Sequence, residues 1–251
     1  MNILLHYTHY PVSSGRYMTE AFRRLGHTVY HIGQETGRNI WGMEVPQEYV
    51  WCQDAPPDEW LPDLCILMDT AYQWHHETVP TIVYTVDNHV RNVRQDGIAH
   101  YFLGHKNVSI MPYTDDCTWL PCGYDPTLFT PSPIPYQDRQ YDVACLGVVY
   151  PQRYALIQQL IDAGLKVIWG CGLVFDGYAT AYHNSRISLC QSINGDVAQR
   201  VFETAAMGCV VMSDKCPDFD TLTPNGIWLI DKDVPFVEQV RGFLADPAKA
   251  Q

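Results

Sequence analysis

Apolar positions in this chain come in two spacings that take turns. "NILLHY" (2–7), "HTVYHI" (27–32), "DLCILMD" (63–69) and "TIVYTVD" (81–87) are dense apolar runs of strand length. "GRYMTEAFRRLG" (15–26) repeats its apolar positions at helical spacing and ends on a glycine suited to a helix C-terminus. "NVSIMP" (107–112) and "TWLP" (118–121) predict two more short strands, and residues 34–63, rich in Pro, Trp and acid, predict mostly loop. From 141 the alternation restarts. Strand "YDVACLG", helix "QRYALIQQLIDAG", strand "KVIWG", a short helix near "GYATAYHN", and strand "RISLCQ" come first. A helix over 197–207, strand "CVVMSD", strand "GIWLI" and a last helix in "VPFVEQVRGFLAD" complete it.

Strands that alternate with helices at this spacing imply parallel βαβ units, so the fold class is α/β with doubly wound sheets. "FTPSPIPYQDRQ" (129–140) is dense in proline, lacks an apolar period and reads as a linker. The predicted organisation is therefore an N-terminal Rossmann-like domain at 1–130, a Pro-rich linker at 131–140 and a C-terminal Rossmann-like domain at 141–251. The active site is expected in the cleft between them, at the carboxyl ends of the strands.

Charge narrows the choice of partner. The formal net charge is −12, with 7 basic against 15 acidic side chains in residues 1–130 and 9 against 13 in residues 131–251. Broad electrostatic binding to nucleic acid or an anionic membrane is disfavoured, although a local basic patch remains open. No stretch approaches 18 apolar residues, so membrane insertion is not expected. The nine scattered cysteines form no CxxC, and several fall in apolar strands, which suggests reduced core thiols and a cytoplasmic protein. Among ten histidines, His6 with His9, His27 with His31, and His75 with His76 are the metal candidates. None has a Cys or carboxylate completing a ligand set, so no metal is expected.

"CLGVVYPQRYALIQQLIDAGLKVIWG", "NSRISLCQSINGDVAQRVFETAAMGCVVMSD" and "WLPCGYDPTLFTP" resemble the GT-B glycosyltransferases, in the branch containing the spore-maturation CgeB-type proteins. "YTVDNH" is similar to the N-terminal half of that branch. The resemblance covers most of residues 80–231 and is strongest at 141–214. It implies a compact GT-B fold of two Rossmann-like domains and a nucleotide-diphosphate sugar as donor, a UDP-sugar first, with no bound metal or other cofactor.

The donor residues follow from both readings. Free N–H groups at the start of a 197–207 helix would suit a diphosphate, and Gly195 would let the loop backbone approach it. From Asp196 to Glu203 a helix rises on the order of 10 Å, about the reach from diphosphate to ribose. A carboxylate accepts both hydroxyls of a cis-diol, so Glu203 is the ribose candidate. Relatives match it to the second acid of an E-x7-E motif. Gly195 stands at the first acid, flanked by Asn194 and Asp196 as substitutes. Arg200 and Arg153 are the diphosphate cations, since an acid at Asp196 would otherwise repel phosphate. Alternatively, Arg200 and Glu203 form a surface ion pair and Arg153 is a solvated first-turn residue.

In the first domain Asp87 and His89 fall at a strand's carboxyl end, where an acid and a histidine can deprotonate or orient an acceptor hydroxyl. The competing reading is a turn-forming Asp87-Asn88 with an incidental histidine. Arg91 and Arg94 make a small basic spot, either for an anionic acceptor or as a solvated helix face. Ser14, or Ser13, caps the helix after the first strand, and Gly15 permits close approach of a ligand there. The acceptor remains open: a surface or coat glycan, a protein, a small molecule, or a hydroxymethylated phage DNA base. The other classes are a non-catalytic nucleotide-sugar-binding module and a sugar-nucleotide epimerase.

Overall fold

The computed structural model describes residues 1–35, 39–40, 43–68, 76–222 and 226–246. His75 lies outside them. The chain divides into two units, Met1–Pro121 and Cys122–Gln251. Each has its own parallel sheet.

In the first unit the chain runs β1 (Asn2–His6), α1 (Ser14–Arg24) and β2 (Thr28–Ile32), then the short pair β3 (Asn39–Ile40) and β4 (Met43–Glu44). It continues through β5 (Leu64–Met68), β6 (Thr81–Thr85), β7 (His100–Leu103) and β8 (Cys117–Trp119). The main sheet has the order β2-β1-β5-β6-β7-β8, all parallel. Its central strand β5 reads as an unbroken apolar run because both of its faces are covered. Ile66 and Met68 pack with Ile3, Leu5, Tyr7, Val29 and Tyr84, while the intervening Leu67 packs with Val83, Tyr101, Leu103 and Met111. That is the period of two expected of a strand buried on both sides.

The second unit runs β9 (Tyr141–Leu146), α2 (Pro151–Asp162), β10 (Val167–Gly170), α3 (Phe175–His183) and β11 (Ser185–Leu189). It ends with α4 (Arg200–Ala206), β12 (Val210–Ser213), α5 (Phe219–Leu222), β13 (Ile227–Leu229) and α6 (Phe236–Ala245). The sheet order is β10-β9-β11-β12-β13, again all parallel. Val143, Ile157, Leu160, Ile187, Val210, Met212 and Val240 form one core, and Val197, Val201, Val211 and Phe219 another. Residues 131–140 lie within this unit. Ser132 donates to the carbonyls of Met207 (3.2 Å) and His183 (2.9 Å), and the buried Arg139 to those of Ser185 (2.9 Å) and Gly208 (2.7 Å).

Four details differ from the sequence reading. Asn107–Pro112 is not a strand; the sheet takes His100–Leu103 instead, where Tyr101 and Leu103 alternate inward. The stretch after β6 is a turn, closed by Val90 and Arg91 N–H on the Asp87 carbonyl, not a helix. Strand "RISLCQ" ends at Leu189, so Cys190 begins the loop that follows. The helix expected from 197 begins at Arg200. Val197 is buried with Val201 but is not helical, so its four-residue spacing reflects shared burial alone. All nine cysteines are free, five of them buried, and among the described residues no helix is long and apolar enough to cross a membrane.

Candidate functional site

A parallel sheet opens a crevice where consecutive connections leave its first strand in opposite directions. In the second unit that switch point lies between β9 and β11. The loops leaving their carboxyl ends are Gly147–Tyr150 and Cys190–Gln199.

Two arginines occupy this junction. Arg153, in the first turn of α2, is 6% exposed, so it is not a solvated surface residue. Its guanidinium donates to the Val148 carbonyl of one loop and to the Gln191 carbonyl of the other at 2.7 Å, tying the two together. Arg200, first residue of α4, turns its guanidinium against Gly147, whose backbone has φ +115°; a Cβ there would overlap Nη2. The Nε atoms of both arginines are buried without a partner. Among the described residues neither has a carboxylate within ion-pair distance. Burial lowers the Arg153 pKa, and the Arg200 charge beside it lowers it further. For Arg200 burial also lowers the pKa, but Tyr182, Tyr178, Cys190 and Cys145 outweigh it and the guanidinium stays protonated. Two like charges held side by side and partly withdrawn from water are costly unless something negative joins them.

The alternative, a surface ion pair of Arg200 with Glu203, does not form. Glu203 is 8% exposed, and its carboxylate accepts from the Tyr178 hydroxyl (2.8 Å) and the Gln199 amide (2.9 Å). Burial raises its pKa, while Tyr178, the Arg200 charge and Gln199 pull it back toward the ionised form. Burial also holds the Tyr178 hydroxyl well above its usual range, so it remains a donor. Sequence reading missed Tyr178, Gln199 and Gly147. Only Gly147, a glycine at a strand's carboxyl end, carried a local signal.

The loop between β11 and α4 is braced from inside. The Asp196 carboxylate accepts from the Ser192 hydroxyl (2.7 Å) and the Asn194 N–H (3.4 Å), and Asp214 accepts from the Ser192 N–H (2.7 Å). Gly195 supplies the left-handed residue at φ 77°. Asp196 therefore sits four residues before α4 and does not cap it, and the helical rise from Asp196 to Glu203 is absent. The N-terminus of so short a helix offers no phosphate cradle here; the guanidinium groups remain.

In the first unit His89 follows β6. Its Nδ1 lies 3.2 Å from the Val86 carbonyl, which can only accept, so Nδ1 carries a proton. Its ring meets His105 edge-on at 4.6 Å between centroids. Asn88, between Asp87 and His89, clasps the His105 backbone through both ends of its amide, at 2.7 and 3.0 Å. Asp87 pairs with Arg91 at 3.8 Å. His89 thus takes its orientation from a backbone carbonyl, not from Asp87.

The remaining first-unit candidates serve the fold. Arg94 grips Asp116 bidentately (2.6 and 3.1 Å), also donates to Thr114 and lies 4.6 Å over the Tyr101 ring, so its charge is matched internally. Ser13, not Ser14, caps α1 by accepting from the Arg16 N–H at 3.2 Å. The room that Gly15 leaves is filled by the Tyr7 ring, so no ligand is needed to explain it. His9 and His31 touch through Nε2 and Nδ1 at 2.9 Å, with His31 stacked on Trp51.

Residues 133–251 match the model of a family described as glycosyl transferase-like. Among solved structures, the chain is similar to sucrose-phosphate synthase from Thermosynechococcus elongatus, at 13% identity and TM-score 0.60, over 100% of this chain and 91% of that one. It is also similar to AviGT4, a glycosyltransferase involved in avilamycin A biosynthesis, at 12% identity and TM-score 0.60, over 98% and 88%. An alpha1,3-fucosyltransferase aligns at 9% identity and TM-score 0.55, over 100% and 79%. No curated protein matches the sequence. At these identities the structural likeness is one of fold, and the fold is GT-B: two Rossmann-like units, each with a parallel sheet.

Proposed function

We propose that the chain is a glycosyltransferase, because residues 133–251 match the model of the glycosyl transferase-like family and the fold is GT-B. It moves a sugar from a nucleoside-diphosphate donor, a UDP-sugar first, to an acceptor hydroxyl. The observation that carries this reading is the pair of arginines at the β9–β11 switch point, Arg153 and Arg200, each with a buried, unpartnered Nε and no carboxylate within ion-pair distance among the described residues. A diphosphate supplies the missing charge.

The chemistry then divides among few groups. An acceptor hydroxyl attacks the anomeric carbon, and the bond from that carbon to the β-phosphate oxygen breaks. His89 Nε2 receives the hydroxyl proton. As the sugar leaves, negative charge builds on the β-phosphate, and fixed arginine cations stabilise that state more than the ground state. Glu203 receives the ribose hydroxyls. No metal is assigned to the phosphates in this scheme, so EDTA is expected to leave the rate unchanged.

The acceptor is proposed to be an uncharged hydroxyl compound, a glycan or small molecule, rather than a DNA base. Arg94 is matched by Asp116 and Arg91 by Asp87, which leaves little of the basic spot a polyanion would need. A second reading is a non-catalytic nucleotide-sugar-binding module, favoured by Gly195 at the first acid of the motif and by Asp196 being occupied within its own loop. Turnover separates the two. Nucleoside diphosphate released from a panel of UDP-, GDP- and ADP-sugars, with simple glycosides as acceptors, supports the transferase. Saturable binding without release supports the module. An epimerase would interconvert donor sugars with no acceptor present.

A further inference from the structure

Glu203 is held from two sides by residues that meet only in the folded second unit. Tyr178, in the first turn of α3, donates its hydroxyl to Oε2 at 2.8 Å; Gln199, just before α4, donates its side-chain amide to Oε1 at 2.9 Å. Tyr178 is itself fixed by edge-on rings, Tyr182 at 4.8 Å and Phe129 at 6.0 Å between centroids. Two donors on separate elements leave the carboxylate little freedom to rotate, and each oxygen keeps lone pairs for further donors.

We propose that Tyr178, with Gln199, is the positioning residue that sets how strictly this protein demands a ribose in its nucleotide. The inference rests on the donor-site reading above. A carboxylate accepts the two hydroxyls of a cis-diol well only in one orientation, and a buried group that expects a hydroxyl rejects an analogue lacking it. Without the Tyr178 hydroxyl, the carboxylate loses one of its two fixed donors, and the diol meets a group no longer aimed at it. The rest of the nucleotide depends on Arg153 and Arg200, which Tyr178 does not orient by hydrogen bonding. Its loss should therefore act on ribose hydroxyls selectively.

The test is a calorimetric titration with UDP, GDP, ADP and CDP, followed by the 2′-deoxy form of the tightest binder. Wild type, Tyr178→Phe and Gln199→Met are compared, each first shown to be folded by circular dichroism. The expected result is that wild type prefers the ribonucleotide by about tenfold or more. In Tyr178→Phe that preference falls to about threefold or less, entirely through weaker ribonucleotide binding, while affinity for the deoxy form stays within about twofold. Gln199→Met moves in the same direction, and it carries the test if the phenylalanine variant does not fold. A general loosening of the unit would weaken both nucleotides together and would overturn the inference. So would an undiminished preference in the folded variants, with the donor site left standing. If wild type binds no nucleoside diphosphate, the donor-site reading itself fails and takes the inference with it.

Discussion

At the residue scale the second unit shows how burial decides what a charge is for. Arg139 and Arg153 are equally hidden at 6% exposure, yet Arg139 spends its guanidinium on the Ser185, Gly208 and Ile134 carbonyls while Arg153 keeps a bare Nε. Arg139→Ala is expected to cost about 3 kcal/mol of stability, since it strips several buried carbonyls of their donor. Urea unfolding reads this directly. In the first unit His31 carries a pH dependence. Burial, then His9 and Arg23, lowers its pKa to about 4. The unfolded chain takes up that proton below about pH 6.5. Stability is therefore full above pH 6.5 and declines as pH falls toward 4, by on the order of 2 kcal/mol. His31→Phe, which keeps a ring beside Trp51, should flatten that slope in urea midpoints measured across the range.

At the scale of elements, what could be read from the sequence and what could not divide along one line. Strands β1, β5, β6, β9 and β12 were legible because each is largely buried and so writes a mostly apolar run. Strand β7 was hidden because histidine and glycine flank its apolar core, and Asn107–Pro112 imitated a strand with apolar residues that only cover a loop. The start of α4 was misplaced because Val197 joins the same core as Val201 from a non-helical segment. Glu203, Arg200 and Arg153 were legible as residue types on the helices that follow strands. Their partners were not, since Tyr178 reaches Glu203 across 25 positions and Arg153 reaches Gln191 across 38. Gly147 tests the junction of these elements. Gly147→Ala strains a left-handed residue and displaces the Arg200 guanidinium. It is expected to cost about 1–3 kcal/mol and, in a binding titration, to weaken nucleoside diphosphate affinity along with it.

At the scale of the whole molecule a family match over residues 133–251, a GT-B fold and a charge anomaly come together. The family model matches residues 133–251 within the second unit, and the fold is shared with structures of very different sequence. Sequence at that distance does not carry a substrate, because acceptor surfaces are built by loops free to vary while the sheets persist. The arginine pair stands out: in a protein of net charge −12, two neighbouring arginines with buried Nε atoms have no carboxylate within ion-pair distance among the described residues. The most direct test is a calorimetric titration of UDP, GDP, ADP and CDP into wild type and Arg200→Ala. The account predicts that at least one nucleoside diphosphate binds wild type in the micromolar range and that the variant loses about tenfold or more, the worth of a charge-assisted contact. Equal affinity in the two proteins, or no binding to wild type by any of the four, would contradict it.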